Sequence, residues 1–528
     1  MQLNHLLIES GQFPNIKEEI PSVDISGISF DSRKVKPGDI FFALDGKKVD
    51  GHQFIPQAVK AGAKAIIGRL PIDHVGAPYF QVENPRQSMA YIAAALNGFP
   101  AKKLTIIGVT GTDGKTTTVN LIYRILLANE INAGMISTVN AVIGNEMIDT
   151  GFHVTTPESP IIQALLAKMV DMGATHVVLE TTSHGLDQFR VEACEFDIAV
   201  ITNITHEHLD YHGTYEHYFS SKYKLIEYLL EKEAKMGQIM PVAVFNGDDI
   251  SYPKILERIQ MDAHEDIRWV VYGLGHGMDV YAEKVEMDVS GLRFNVTAGS
   301  NYGLVNSPLI GEYNVYNILA AIGASVVGLE LPLGKTLEGV HAMRSVPGRM
   351  EKIDLGQDFT AIVDFAHTPN ALKVALQTVR KLTSGRVIAV FGSAGLRDRQ
   401  KRRMMAAVSS ELADITVLTA EDPRTEPLED ILKEMADEAC KTGAREGENL
   451  FIIPDRGEAI LEALKMARTG DVVIACGKGH EQSMCFGEIE YPWDDRTAMR
   501  AALAEITGHY GPEMPMLPTS GKKKTADY

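Results

Sequence analysis

Cysteine is scarce in this chain. Four thiols, Cys194, Cys440, Cys476 and Cys485, occur in 528 residues with no Cys-x-x-Cys pair. That excludes the disulfide framework of small secreted domains and fits a reduced, cytoplasmic setting. Long apolar runs are also missing: none approaches the roughly 18 residues a bilayer-spanning helix needs. The opening MQLNHLLIESG has no basic segment leading into an apolar one. A soluble, uncleaved chain without membrane insertion is the expectation. Positive charge is short as well, with 51 Lys plus Arg against 69 Asp plus Glu and a net charge of −18. Such a balance repels nucleic acid and anionic membranes on average, so no nucleic-acid partner is expected. An anionic ligand would have to be met by local basic clusters.

What is present is globular composition, 45% hydrophobic and 23% charged, without the polar bias of disorder. At roughly 150 residues per domain the length suggests about three domains. Short apolar runs alternate with helical stretches throughout: AKAIIG, LTIIGVT, THVVLE, FDIAVITNI, VAVFN, FTAIVDF, RVIAVFG, ITVLT and DVVIACG. This predicts an α/β protein with buried, mostly parallel sheets. The runs cluster into 1–103, 104–345 and 346–510, and the Pro-, Gly- and Lys-rich stretch 511–528 reads as a flexible tail.

LTIIGVTGTDGKTTTVNLIYRIL is the sharpest local feature. A strand runs into a Gly-rich turn and then a helix with Val119, Ile122, Ile125 and Leu126 on one face, the setting of a nucleotide phosphate loop. Gly111 and Gly114 let backbone N–H groups face phosphate oxygens, Lys115 supplies a mobile cation, and the Thr116 hydroxyl can ligate Mg²⁺. The spacing departs from strict GxxxxGK[ST], because Val109 stands where the first glycine belongs. Glu180 closes a buried strand where an open α/β sheet places its ligands, suiting it to Mg²⁺. After the next strand come His206, His208, His212 and His217, with Asp210, Lys222 and Lys224. Without a nearby Cys or an HExxH pattern the histidines argue against zinc. Their place after the strand that follows Glu180 favours Mg²⁺ through one imidazole and carboxylates.

At this point the chain resembles the Mur ligases, the ATP-dependent amide-forming enzymes of peptidoglycan precursor synthesis, and among them the branch that adds the third residue of the stem peptide. The similarity is ordered over about residues 28–500: FDSRKVKPGDIFFAL, DGHQFIPQAV, GVTGTDGKTTT, HVTTPESP, ETTSHGLDQFR, TNITHEHLDYHGTYEHYFSSK, GEYNVYNILAA, VPGRME, VDFAHTPNAL, FGSAGLRDRQKR, TAEDPRTE and GKGHEQ. It implies a UDP-substrate domain at the N-terminus, a central phosphate-loop ATPase domain and a C-terminal Rossmann-like domain that selects the amino acid. It further implies that Ser32, Thr155, Thr156, Thr182 and Arg190 hold the UDP-muramoyl dipeptide. Thr112, Asp113 and Thr117 would join the phosphate loop, and Asn314, Asn317, Arg349, Asp364 and His367 would contact ATP. Two Mg²⁺ ions would be held by Thr116, Glu180, His208 and a carbamylated Lys222, since a plain ammonium cannot ligate a cation. Lys115, Lys222, Glu180 and His208 are the expected catalytic set.

Arg397, Asp422, Arg424, Gly477 and Glu481 would bind the incoming amino acid, while the rest of the run Arg399, Lys401, Arg402 and Arg403 reads as a solvated helix face. The implied reaction joins a diamino acid to UDP-N-acetylmuramoyl-L-alanyl-D-glutamate through an acyl phosphate, with a monomer as the expected state. Relatives adding diaminopimelate carry DNPR where this chain has Glu421, Asp422, Pro423 and Arg424. Arg424 suits a distal carboxylate and Asp422 a distal ammonium, which places diaminopimelate ahead of lysine or ornithine. The FGSAGLRDR loop also lacks the usual Gly-Asp before its arginine. A folylpolyglutamate or cyanophycin synthetase and a non-enzymatic nucleotide-binding scaffold are the alternatives.

Overall fold

The computed structural model describes residues 1–13, 20–46, 49–73, 76–144, 146–148, 156–205, 209–230, 239–262 and 267–521. The chain divides into two compact units, one of Met1–Glu283, Asn295–Leu304 and Tyr316–Ala342, the other of Lys284–Phe294, Val305–Val315 and Met343–Tyr528. The first unit opens with a parallel sheet of β1 (Gly27–Ser29), β2 (Asp39–Ala43), β3 (Ala65–Gly68) and β4 (Tyr79–Gln81), in chain order. β2 and β3 are buried along their whole length, so their apolar runs do not alternate.

A second sheet follows, built from β5 (Thr105–Thr110), β6 (Ala133–Ile136), β7 (Ala141–Ile143), β8 (Glu146–Ile148), β9 (His176–Glu180), β10 (Ile198–Ile201), β11 (Val242–Asn246) and β12 (Arg268–Gly273), in the order β12-β11-β10-β5-β9-β6-β7-β8. β5 sits at its centre with parallel partners on both sides. The register pairs Thr110 with Ile201 and Val109 with Glu180. The carboxyl ends of β5, β9 and β10 therefore finish at one edge, where an open α/β sheet binds its ligands. β13 (Val280–Asp288), β14 (Gly291–Ala298) and β15 (Asn301–Ser307) come next in the chain.

In the second unit β16 (Glu351–Ile353), β17 (Thr360–Asp364), β18 (Val387–Phe391), β19 (Ile415–Leu418), β20 (Leu450–Ile452) and β21 (Val472–Cys476) form a sheet ordered β16-β17-β21-β18-β19-β20. All its neighbours are parallel except β16 and β17. A hairpin of β22 (Ser483–Phe486) and β23 (Ile489–Pro492) stands apart from that sheet. Every strand-like run named from the sequence is a strand. The antiparallel hairpins were not foreseen, because their short half-exposed strands carry no buried apolar run.

Residues 511–521 correct the expectation of a free tail. Leu517 is buried with the core of the second unit, and Thr519 and Ser520 both donate to Asp455 Oδ2 at 2.9 Å. Among the described residues no helix is long and apolar enough to cross a membrane.

Candidate active site

The turn after β5 is shaped by two glycines. Gly111 has φ +155° and Gly114 φ +82°, and a Cβ on either would collide, with Thr202 Oγ1 and Asn317 Oδ1 respectively. The loop is pinned from the end of β10. Asn203 Oδ1 accepts from Asp113 N at 2.9 Å, Thr202 Oγ1 donates to Asp113 O at 2.6 Å, and Thr112 N donates to Asn203 O at 2.8 Å. Lys115, first residue of the helix Lys115–Ala128, folds back so that Nζ donates to the carbonyls of Gly111 (3.0 Å) and Thr112 (2.8 Å). Thr117 is buried in the first turn of the same helix.

Thr116 and Glu180 meet as expected. Thr116 Oγ1 donates to Glu180 Oε1 at 3.0 Å, and the carboxylate also accepts from Thr138 N (3.0 Å) and Thr138 Oγ1 (2.8 Å). Glu180 is only 1% exposed, so these donors replace the water its charge would otherwise keep. Hydroxyl and carboxylate oxygens at one phosphate loop fit a hard divalent cation such as Mg²⁺. Thr138 carried no sequence signal, because it lies in an irregular loop after β6.

Lys222 is buried, 2% exposed, in the helix Tyr215–Leu230. Its Nζ donates to Gly111 O at 2.6 Å and lies 4.7 Å from the centre of the Tyr218 ring. Tyr218 in turn shares a 2.9 Å hydrogen bond between its hydroxyl and Thr112 Oγ1. A solvated helix lysine is thereby excluded. As an ammonium Lys222 ligates no cation, whereas a carbamate would. His206 and His208 lie outside the described residues. His212 is buried, with Nε2 3.1 Å from Ser183 Oγ, and His217 Nε2 is 3.1 Å from Asp187 Oδ1.

Thr155 also lies outside the described residues. Thr156 Oγ1 is 3.0 Å from Thr182 Oγ1, and Arg190 Nη1 donates to Thr156 O at 2.7 Å, so these three expected residues cluster. Glu158 bridges Arg190 (3.1 Å) and Arg86 (3.2 Å), tying the helix Pro85–Leu96 to the same place. Burial pulls the Arg190 guanidinium down, and Glu158 offsets this. Ser32 Oγ instead donates to Gln57 Oε1 at 3.0 Å, beside the first sheet.

Most of the remaining residues follow the carboxyl ends of the second unit's strands, whereas Asn314 and Asn317 lie on the helix Tyr313–Ile322, Asn317 within the first unit. Asp364 ends β17 and accepts from Met350 N (2.7 Å) and Ala366 N (2.8 Å); burial pushes its carboxyl up, opposed by Arg349 beside it. Arg349 lies over the Phe365 ring at 4.5 Å, with His367 against the same ring. Gly348 packs so closely on Gly479 and His480 that a Cβ would collide with their backbone, so the VPGR and GKGHE loops touch. Burial, reinforced by Arg349, holds the His480 imidazole down to about 3 and therefore neutral near pH 7. Asn314 Nδ2 donates to Ile310 O at 2.8 Å.

Asp422 and Glu481 are joined by Lys478, and Gly477, at φ +113°, leaves no room for a Cβ against Glu421 Oε2. Asp422 and Arg424 both have left-handed backbone, φ +40° and +55°. Arg397 is exposed at the turn before the helix Arg399–Leu412. Arg402 overturns the reading of its run as a solvated face. It is fully buried and clamps Glu426 in a bidentate pair at 2.8 and 2.9 Å, while Leu396 N donates to the same Glu426 at 2.9 Å. Glu421, Lys478 and Arg402 act through partners in other segments, Gly477, Asp422 and Glu426, which local spacing does not reveal.

Three family profiles match the chain: "Mur ligase family, catalytic domain" over residues 24–96, "Mur ligase middle domain" over 109–325 and "Mur ligase, glutamate ligase domain" over 348–479. A UDP-N-acetylmuramyl-tripeptide synthetase of Roseiflexus sp. is 41% identical over 515 residues, covering 96% of this chain and 98% of the relative. A UDP-N-acetylmuramoyl-L-alanyl-D-glutamate--2,6-diaminopimelate ligase of Geobacillus thermodenitrificans is 39% identical, covering 91% and 95%. A solved structure described by the same activity superposes with a TM-score of 0.69 at 31% identity, covering 97% of this chain and 100% of that one.

Proposed function

Because this chain belongs to the Mur ligase family, whose members are ATP-dependent, ADP-forming amide ligases, we propose that it joins meso-diaminopimelate to UDP-N-acetylmuramoyl-L-alanyl-D-glutamate in peptidoglycan precursor synthesis. In this reading ATP transfers its γ-phosphoryl group to the D-glutamyl carboxylate, releasing ADP and leaving an acyl phosphate. The diamino acid's amine then attacks the carbonyl, phosphate departs, and the amide forms. No enzyme nucleophile is required; rate enhancement comes from positioning and charge neutralisation. ATP and a nucleotide-sugar substrate place the reaction in the cytoplasm, and the chain divides into functional domains near residues 103 and 345.

The observation that carries this reading is the convergence on one phosphate loop of Thr116 and Glu180, 3.0 Å apart, with Lys222 on the Gly111 carbonyl. A scaffold that only holds a nucleotide has no use for a buried lysine there. Lys115, released from the loop carbonyls it now caps, would follow the transferring phosphoryl group. Thr116, Glu180, His208 and a carbamylated Lys222 would hold Mg²⁺, which when bound offsets phosphate charge. Thr155, Thr156, Thr182 and Arg190 would orient the UDP-muramoyl dipeptide.

The test incubates the purified protein with ATP, the UDP-muramoyl dipeptide and, separately, diaminopimelate, lysine and ornithine, then measures ADP and weighs the products. A diaminopimelate adduct formed with one ADP per amide is expected. Absence of any adduct with all three amino acids would overturn the ligase reading.

A further inference from the structure

The two acids of the amino-acid motifs already share a cation of the protein's own. Lys478 Nζ lies 3.1 and 3.0 Å from Asp422 Oδ1 and Oδ2 and 2.5 Å from Glu481 Oε2, with its side chain 3% exposed. Asp422 Oδ1 accepts a further bond from Cys485 N at 2.9 Å, so both carboxylate oxygens are engaged. Burial alone would pull the Lys478 amine down, yet the two carboxylates hold it above its ordinary value, and it stays an ammonium.

The same hairpin fixes Arg424. Arg424 N donates to Cys485 O at 3.1 Å, and Gly487 N donates to Arg424 O at 2.8 Å. Asp422 and Arg424 are thus strapped side by side in left-handed backbone. Both oxygens of this carboxylate already face Lys478, so a substrate ammonium reaching for either would be brought against the ammonium of Lys478. A substrate carboxylate approaching Arg424 meets a neutralised pair in place of a bare negative charge.

We infer that Lys478 is a specificity-determining residue: by occupying Asp422 it makes the EDPR loop select an amino acid whose distal end bears a carboxylate and reject one ending in an ammonium alone. The inference rests on the ligase reading above and names the feature of the amino acid that this site recognises. Asp422, which by itself argues for lysine or ornithine, is in the folded chain the counter-ion of Lys478. Glu481 remains 39% exposed beside them, available to an amino group of the substrate.

Steady-state kinetics on wild type, Lys478→Met and the double variant Asp422→Asn, Lys478→Met test this, with diaminopimelate, lysine and ornithine as substrates. Wild type should prefer diaminopimelate by at least about a hundredfold in kcat/KM. Lys478→Met leaves Asp422 uncompensated and should cut that preference by roughly tenfold or more, through KM for diaminopimelate with kcat little changed. The double variant removes Asp422 and Lys478 as a pair, leaving only the 39% exposed Glu481 without its lysine, and should return the preference to within about threefold of wild type. A purely packing role for Lys478 predicts no such rescue. If Lys478→Met does not fold, the double variant alone decides. An unchanged preference in Lys478→Met, a lost one in the double variant, or a wild type favouring lysine or ornithine would overturn the inference while leaving the ligase reading intact. A wild type that ligates none of the three would instead overturn the ligase reading.

Discussion

Lys222 Nζ donates to the carbonyl oxygen of Gly111 at 2.6 Å, joining two residues 111 positions apart in the chain. A buried lysine aimed at the backbone of a phosphate loop is costly unless its amine serves the site. Lys222→Arg should therefore lower ADP release by roughly a hundredfold to a thousandfold, because a guanidinium cannot become a carbamate ligand. ¹³C-bicarbonate should give a carbamate resonance in wild type that is missing from the variant. Retention of full activity by Lys222→Arg would sink the assignment.

Glu180 accepts hydrogen bonds from Thr116 and Thr138. Glu180→Gln retains the shape and removes the charge, so the Mg²⁺ concentration for half-maximal ADP release should rise about tenfold to a hundredfold. Lys115→Ala should abolish ADP release at any Mg²⁺ concentration. A magnesium titration of both variants separates the two roles, and unchanged magnesium dependence in Glu180→Gln would remove that residue from the metal site.

Glu421 is buried beside Gly477, and burial pushes its carboxyl up to about 7 from 4.5, offset by Arg456, Lys401 and Lys478. Between those values the folded chain keeps a proton that the unfolded chain has released. The stability this group contributes is complete below about pH 4.5 and is lost as pH rises through 7. Relative to Glu421→Gln, wild type should lose roughly 2–3 kcal/mol between pH 5 and 8, read from urea unfolding at each pH. A constant difference across that range would show that Glu421 ionises normally.

Arg402 is buried against Glu426, whose carboxyl it holds down to about 2. Arg402→Met leaves Glu426 without its bidentate partner, while Glu434 keeps Arg399, and should cost about 2–4 kcal/mol in urea unfolding. Because Glu426 also fixes Leu396, the loop bearing Arg397 should loosen and KM for the diamino acid should rise severalfold. An unfolding midpoint equal to wild type would mean that the pair contributes nothing net.

Much of the catalytic chemistry was legible from local pattern. The strand, glycine turn and helix around Lys115 announce a phosphate loop because φ above zero, a free N–H row and an amphipathic helix are local properties. Glu180 was legible because a carboxylate closing a buried strand has few other reasons to be there. Thr138, Glu158 and Lys478 were not, since each matters only through a partner 42, 32 or 56 residues away in sequence.

The sequence by itself determined that the chain is a multidomain α/β protein with a phosphate loop and the ordered motifs of a ligase, since strand runs, glycine turns and helix faces are written in near-neighbour residue types. Only the tertiary structure decided which charges are already spoken for. It paired Lys478 with Asp422, buried Arg402 that the sequence left on the surface, and packed residues 511–521 that composition left free. Ion pairing and burial depend on which distant segments the fold brings within a few ångströms, and one-dimensional spacing does not carry that information.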